Sequence, residues 1–222
     1  MAGQWDKIFK QQGKFFTKVQ GDISRIVKLF KRRNVKRVLD LGCGSGRHTV
    51  YLAKHGFEVY GIDISRTGIK MTRKFLLKEK LKGNLKIGSI YKKLPYKDNF
   101  FDAVISVQVL HHARIESIRK VIREIERVLK LKGLFFTTNR RRRIQRNVKI
   151  LTEEYENLRE KFRYRIIAPM TYVPTGGAEK GLIHYLFNKK SFRKEFRHFK
   201  IYDIWVESNK RHYCLLGELK SK

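Results

Sequence analysis

The stretch Asp40-Leu41-Gly42-Cys43-Gly44-Ser45-Gly46 constrains this chain more than any other. It joins a short apolar run, Arg37 to Leu41, to a segment of helical spacing, His48 to Lys54. Glycines at alternate positions let the backbone turn sharply and come close to a ligand. A strand that turns through glycines into a helix is the opening unit of a doubly wound α/β sheet. Such sheets bind ligands in the crevice at the carboxyl ends of their strands.

The flanking sequence extends the pattern. Ile23, Ile26, Val27, Leu29 and Phe30 recur at helical spacing ahead of the glycine stretch. After it, Gly56 stands where a helix C-cap glycine would, and Glu58 to Ile62 reads as a second strand closing on Asp63. Ser65 is an N-cap candidate for a helix with Ile69, Phe75 and Leu76 on its apolar face. Leu85–Ile87 and Phe101–Val107 read as strands three and four. An amphipathic helix from Ile115 to Leu129 follows, with Arg119, Arg123 and Arg127 on its outer, solvated face. Leu131-Lys132-Gly133 then turns the chain into strand Leu134 to Thr138. Strands this uniformly apolar imply a parallel sheet covered on both faces.

The alternation breaks at Asn139. A run of four arginines, Arg140 to Arg143, leads to an expected polar helix around Val148 to Phe162. Pro169 to Gly177 reads as loop and Lys189 to His198 as a short helix. Ile201–Glu207 and His212–Glu218 are joined by four residues, short enough for an antiparallel hairpin.

The spacing of the glycines bears on the nucleotide. A Gly-x-Gly-x-x-Gly dinucleotide fingerprint counted from Gly42 meets Arg47, and counted from Gly44 meets Thr49. No Gly-Lys-Ser/Thr follows, so a Walker loop is excluded. Asp63, closing the second strand, is placed to accept hydrogen bonds from both hydroxyls of a ribose.

With these residues in view, the sequence resembles the class I S-adenosylmethionine-dependent methyltransferases, and among them the broad type 11 group. Val38 to Gly46 is similar to their motif I, and Leu94 to Val104 to the stretch entering their fourth strand. Val109-Leu110-His111-His112 resembles the block after that strand, and Lys132-Gly133-Leu134 the turn into strand five. The resemblance implies an α/β, Rossmann-like, doubly wound and mostly parallel seven-stranded sheet with an antiparallel C-terminal hairpin. It implies S-adenosyl-L-methionine as cofactor and methyl transfer as activity. Asp40 would orient the methionine amino end, and Gly42, Cys43, Gly44 and Gly46 would form the path of the cofactor. Asp63 would hold the ribose, Ile64 would lie against the adenine, and Ile90 would offer its backbone N–H to that ring. Ser89 stands where the family usually has an aspartate; a serine accepts the same bond without charge. Val107 and Gln108 would border the sulfonium and its methyl group.

On this reading the whole chain, 1–222, is one methyltransferase domain. Its parts are an N-terminal helical lid (1–34), a cofactor-binding core (35–138), a substrate-side insertion (139–198) and a C-terminal hairpin (199–222). Trp5 and Phe9 are either the lid's contact with the cofactor or a small apolar anchor.

Methyl transfer is an in-line displacement that needs alignment and, for some acceptors, a base. His111 is the candidate general base and His112 a substrate contact; the plain alternative is that one caps the next helix and the other packs. His184 and Tyr185 are further substrate-side candidates from the insertion. No metal site is expected. Arg140, Arg141, Arg142 and Arg143 follow strand five at the cofactor edge, where guanidinium groups suit phosphate or carboxylate. They are either an anion-recognition element or a solvated basic loop. Tyr155, Phe162, Tyr164 and Tyr172 interleave with basic residues and are candidates for base stacking or for packing.

Composition enters at the question of the acceptor. Lys and Arg number 52 against 20 Asp and Glu, a formal charge of +32. Such a field attracts phosphates through counterion release, which favours RNA over a small acidic metabolite, and the tRNA methyltransferases within the group it resembles imply tRNA in particular. A non-catalytic S-adenosylmethionine-binding partner subunit is a third reading, and an activating subunit is a conceivable partner. No apolar run approaches the roughly 20 residues of a membrane-spanning helix. The N-terminus lacks a signal-peptide core, and Cys43 and Cys214 make no disulfide framework, so a cytoplasmic location is expected.

Overall fold

A computed structural model of the chain describes residues 2–12, 18–141, 154–157, 162–208 and 210–221. Helices α1 (Ala2–Gln12) and α2 (Ile23–Arg32) precede strand β1 (Arg37–Leu41). Then α3 (Arg47–Lys54), β2 (Glu58–Asp63), α4 (Arg66–Lys78), β3 (Asn84–Ile87), β4 (Phe101–Val107), α5 (Ile115–Val128) and β5 (Leu129–Arg140) follow in the expected alternation. The chain closes with β6 (Glu154–Asn157), β7 (Phe162–Ala168), β8 (Thr171–Pro174), β9 (His184–Tyr185), α6 (Lys189–Glu195), β10 (Phe199–Val206) and β11 (His212–Leu219).

The main sheet has seven strands in the order β10-β11-β5-β4-β1-β2-β3. β1 pairs in parallel with β2 and with β4, so the strand order reverses between them and opens the crevice there. β11 runs antiparallel to both β5 and β10, as the short connection predicts. This is the α/β, Rossmann-like, mostly parallel sheet with an antiparallel C-terminal hairpin.

Strand residues alternate between two buried faces. Leu39, Leu41, Val104, Phe135 and Leu215 join one core with Ile118, Val121 and Ile125 of α5. Val38, Ala103, Ile105, Leu134, Phe136 and Leu216 join the other with Ile23, Ile26, Val27 and Phe30 of α2. Period-two side chains with both faces covered are why these strands read as unbroken apolar runs. The helical lid expected over 1–34 therefore divides: α2 packs into the core and only α1 lies elsewhere.

Local signals place the helix ends. Ser65 Oγ accepts from Gly68 N at 2.9 Å, capping α4. Asn188 and Ser191 form a reciprocal capping box on α6. The turn expected at Leu131–Gly133 is instead an irregularity within β5, where the register against β4 shifts after Leu129.

Two sequence expectations fail in the insertion. The polar helix around 148–162 is replaced by strand over Glu154–Asn157 and from Phe162, the rest of that span lying outside the described residues. The loop at 169–177 contains β8, the partner of β7. Together β6-β7-β8-β9 form a second, antiparallel sheet. Neighbouring strands, absent from any local window, decide such pairings.

The outer face of α5 is also less solvated than expected. Arg127 donates to the carbonyls of Leu94 and Tyr96 and pairs with Asp98 and Glu124. Arg119 pairs with Glu195 of α6. No helix among the described residues is long and apolar enough to cross a membrane.

Candidate active site

The glycine loop leaves β1 at the crevice. Gly42 N and Cys43 N both donate to Ile62 O, at 2.8 and 3.1 Å, folding the loop over the end of β2. Gly42 has φ +79°, and a Cβ there would lie 2.5 Å from Val109 Cγ1. Gly46 has φ +87°, and a Cβ there would lie 2.6 Å from Thr72 Cγ2. Both positions thus exclude a side chain by backbone conformation and by packing against the protein itself.

Two buried carboxylates flank the loop. Asp63 Oδ2 accepts from Gly44 N and Oδ1 from Ser65 N, each at 2.8 Å. Burial pushes its carboxyl above the ordinary range, against these two backbone bonds. Asp40 is 2% exposed and its Oδ2 accepts from Thr49 Oγ1 at 2.7 Å. Burial raises its carboxyl to about 6, opposed by the Thr49 bond and by Arg47. Cys43 is buried, and burial raises its thiol well above the ordinary value, so it is a packing residue without nucleophilic character.

The other wall comes from β3 and β4. Gly88 N donates to Asp63 O at 2.9 Å, which ties the exit of β3 to the ribose-side acid. Ser89 Oγ accepts from Tyr91 N at 3.2 Å, Ile90 is buried, and Ile64 is half-buried beside Asp63. Val107 is buried at the end of β4. Gln108 adopts φ +62°, a strained conformation for a residue with a side chain. It is fixed by its N–H on Thr138 O and by Arg47 Nη2 donating to its Oε1, both at 3.0 Å.

Helix α1 lies over this loop. The Phe9 Cζ stands 3.0 Å from where a Cβ on Gly44 would be. Asp6 Oδ1 accepts from Ser65 Oγ and from Thr67 N, at 2.5 and 2.9 Å, anchoring α1 to the first turn of α4. Trp5 meets His112 edge-on, ring centroids 5.0 Å apart.

The loop after β4 carries His111 and His112, both buried. Their rings lie 4.1 Å apart, and neither Nδ1 has a hydrogen-bond partner among the described residues. Burial, then the charge of neighbouring rings, holds His111 well below its ordinary value. The same causes push His112 down to about 3. Rings held neutral this firmly are weak bases at neutral pH. β9 brings His184 alongside, because Tyr185 N donates to His111 O at 2.7 Å. The Tyr172 ring stacks on His184 at 4.8 Å, so this base-stacking candidate is engaged inside the protein. One ring nitrogen from each of His111, His112 and His184 lies within 4.8 Å of the other two. Glu179 Oε2 stands 3.1 Å from His184 Nε2. Neither this gathering nor Glu179 was foreseen from the sequence, whose expectation was no metal ligand at all. The four residues span some seventy positions, and no local spacing records their meeting.

Arg140 ends β5 half-buried, its carbonyl accepting from Phe187 N at 3.0 Å. Its charge reaches His111, His112 and Glu179. Arg141 N donates to Arg211 O, and its guanidinium lies 5.7 Å from the Tyr213 ring centroid. Arg142 and Arg143 lie outside the described residues.

Residues 39–137 match the family model described as a methyltransferase domain. The chain is 37% identical over 112 residues to an uncharacterized protein of Methanocaldococcus jannaschii, covering 50% of this chain and 44% of that one. It is 27% identical over 114 residues to an uncharacterized methyltransferase of Bacillus subtilis, covering 51% of this chain and 44% of that one. The chain thus spans less than half the length of these curated relatives. The fold is similar to that of a Burkholderia thailandensis 1,6-didemethyltoxoflavin-N1-methyltransferase, crystallised with 1,6-didemethyltoxoflavin and S-adenosylhomocysteine. That likeness has TM-score 0.70 and 15% identity, over 99% of this chain and 89% of that one.

Proposed function

We propose that this chain, whose residues 39–137 belong to the class I S-adenosylmethionine-dependent methyltransferases, transfers the cofactor's methyl group to an anionic acceptor, with RNA, and tRNA in particular, favoured. The observation that carries the methyl-transfer reading is the crevice between β1 and β4. There the glycine loop, Asp40 and Asp63 stand at the carboxyl ends of adjacent parallel strands. When bound, S-adenosylmethionine supplies an already activated methyl group, so the protein's part is alignment and exclusion of water.

In this reading Asp40 and Asp63 provide negative charge at the two ends of the cofactor site, and Gln108 is held rigidly beside it. Ile64, Ser89 and Ile90 form the adenine side, and Val107 the floor below the methyl group. Phe9 and Trp5 on α1 close the loop from above. His111 and His112 position the acceptor as neutral rings, with proton abstraction a minor part at most. The formal charge of +32 and the placement of Arg140 and Arg141 at this edge favour a polyanionic acceptor.

Calorimetry with S-adenosylhomocysteine tests the first step. Saturable binding that Asp63→Ala weakens at least tenfold is expected; no binding by the wild-type protein would overturn the reading. The acceptor is tested with labelled S-adenosylmethionine and cell extract fractionated into RNA, protein and small molecules. Label in tRNA is expected. Label confined to small acids would favour a metabolite acceptor instead, a reading supported by β8 and β9, whose stacked Tyr172 and His184 rings lie beside His112.

A further inference from the structure

The buried histidines have an unbalanced hydrogen-bond inventory. His184 is fully buried, and each of its ring nitrogens faces an oxygen: Nδ1 the Leu182 carbonyl at 3.0 Å, Nε2 the Glu179 carboxylate at 3.1 Å. An imidazolium would donate to both, whereas a metal ion on Nε2 would leave one N–H, on Nδ1, for the Leu182 carbonyl. His111 and His112 add two Nδ1 atoms, buried and without partners among the described residues. Buried polar atoms in native proteins are nearly always satisfied, so two orphaned ring nitrogens beside a third buried histidine call for a partner.

A single cation can take one ring nitrogen from each of the three histidines, because ring nitrogens that carry no proton are metal ligands. We propose that His111, His112 and His184 hold a divalent transition ion of the zinc class, with Glu179 as the carboxylate partner of His184. The ligand type agrees: imidazole suits zinc and its neighbours, whereas calcium and magnesium require oxygen donors. The spacing agrees as well. Ligand atoms at about 2.0–2.1 Å from zinc stand roughly 3.3 Å apart in a tetrahedron. The Glu179–His184 pair is close to that separation, and the ring nitrogens, within 4.8 Å of one another, need to close by up to about 1.5 Å.

Arg140 opposes a cation here, since its charge reaches the same rings, and the Glu179 carboxylate offsets it. Burial keeps the three rings from competing water. The ion would lie on the loop that follows β4, beside the methyl-transfer crevice. Metal binding itself does not depend on the methyltransferase reading and has its own readout.

The test is a titration of the metal-stripped full chain with Co2+, followed by visible absorption, and with Zn2+ by calorimetry. One equivalent bound per chain, with the intense ligand-field bands of a tetrahedral cobalt site, is expected. His112→Gln and His184→Gln should abolish those bands, and Glu179→Gln should weaken binding roughly 10- to 100-fold. Circular dichroism and S-adenosylhomocysteine affinity of each variant report whether it is folded. Absence of stoichiometric binding by the wild-type protein would overturn the proposal. So would wild-type binding that survives unchanged in folded His112→Gln and His184→Gln.

Discussion

At Asp40, stability and binding pull in opposite directions. Its carboxyl is raised to about 6 by burial, against an ordinary value of 3.8. The folded state therefore holds this proton more tightly than the unfolded chain does. Its contribution to stability is most favourable below the ordinary value and declines as pH rises through 6. Ionised and buried at neutral pH, the group costs the fold about 3 kcal/mol. Asp40→Asn should raise the melting temperature by several degrees at pH 7.5, keep the Thr49 bond, and lose this advantage near pH 4.5. The same substitution should weaken S-adenosylhomocysteine binding at pH 7.5, where the carboxylate is charged. Thermal melts and calorimetry at the two pH values check both halves. Gly46 makes a purely steric prediction. With φ +87° and Thr72 Cγ2 at 2.6 Å from a Cβ, Gly46→Ala should destabilise by on the order of 2 kcal/mol in denaturant unfolding. Adding Thr72→Ala should not restore that loss, since the Thr72 Cβ remains 2.9 Å from the new Cβ and the hydroxyl's bonds to the Gly44 and Gly68 carbonyls go.

At the scale of elements, two attachments hold the site together. Arg127 of α5 clamps the segment before β4 through the Leu94 and Tyr96 carbonyls and three carboxylate bonds. Arg127→Ala leaves those carbonyls without their donor and should destabilise by roughly 1–3 kcal/mol, measured by urea unfolding. α1 is attached to α4 through Asp6. Asp6→Ala should speed hydrogen exchange across Ala2–Gln12 and leave α2 unchanged, because α2 is secured by its own buried face. Exchange that stays slow in α1 would show that Phe9 and Trp5 suffice to hold it. Helices α2 to α5 and strands β1 to β5 were legible because they carry local apolar patterns, and α4 a side-chain cap as well. The strands of the insertion were not. Glu154–Asn157 is largely polar and Phe162–Ala168 mixes two arginines with apolar residues, and their conformation depends on cross-strand partners brought together by the fold.

Across the whole molecule, charge and fold are separable. The excess of +32 is a property of the surface and leaves the mostly apolar sheet untouched. If RNA is the acceptor, log affinity for tRNA should fall linearly with log salt. Replacing Arg140 and Arg141 by Ala should make that slope shallower by about two phosphate contacts. Filter binding from low to high salt reads this directly; a slope unchanged by the pair would place the phosphate contacts elsewhere on the surface. The sequence by itself determined the α/β sheet, the glycine turn and the two acids beside it. Residues 40–46 are contiguous, and Asp63 ends the next strand, so short-range sterics and strand order suffice to place them. Only the tertiary structure decided which groups face one another across the crevice. It laid α1 over Gly44, turned Arg127 from solvent to a clamp, and carried His184 and Glu179 onto His111 and His112. Those contacts join elements far apart in the chain, and burial and hydrogen-bond satisfaction, which select them, act on the folded volume and leave no periodic trace in the sequence.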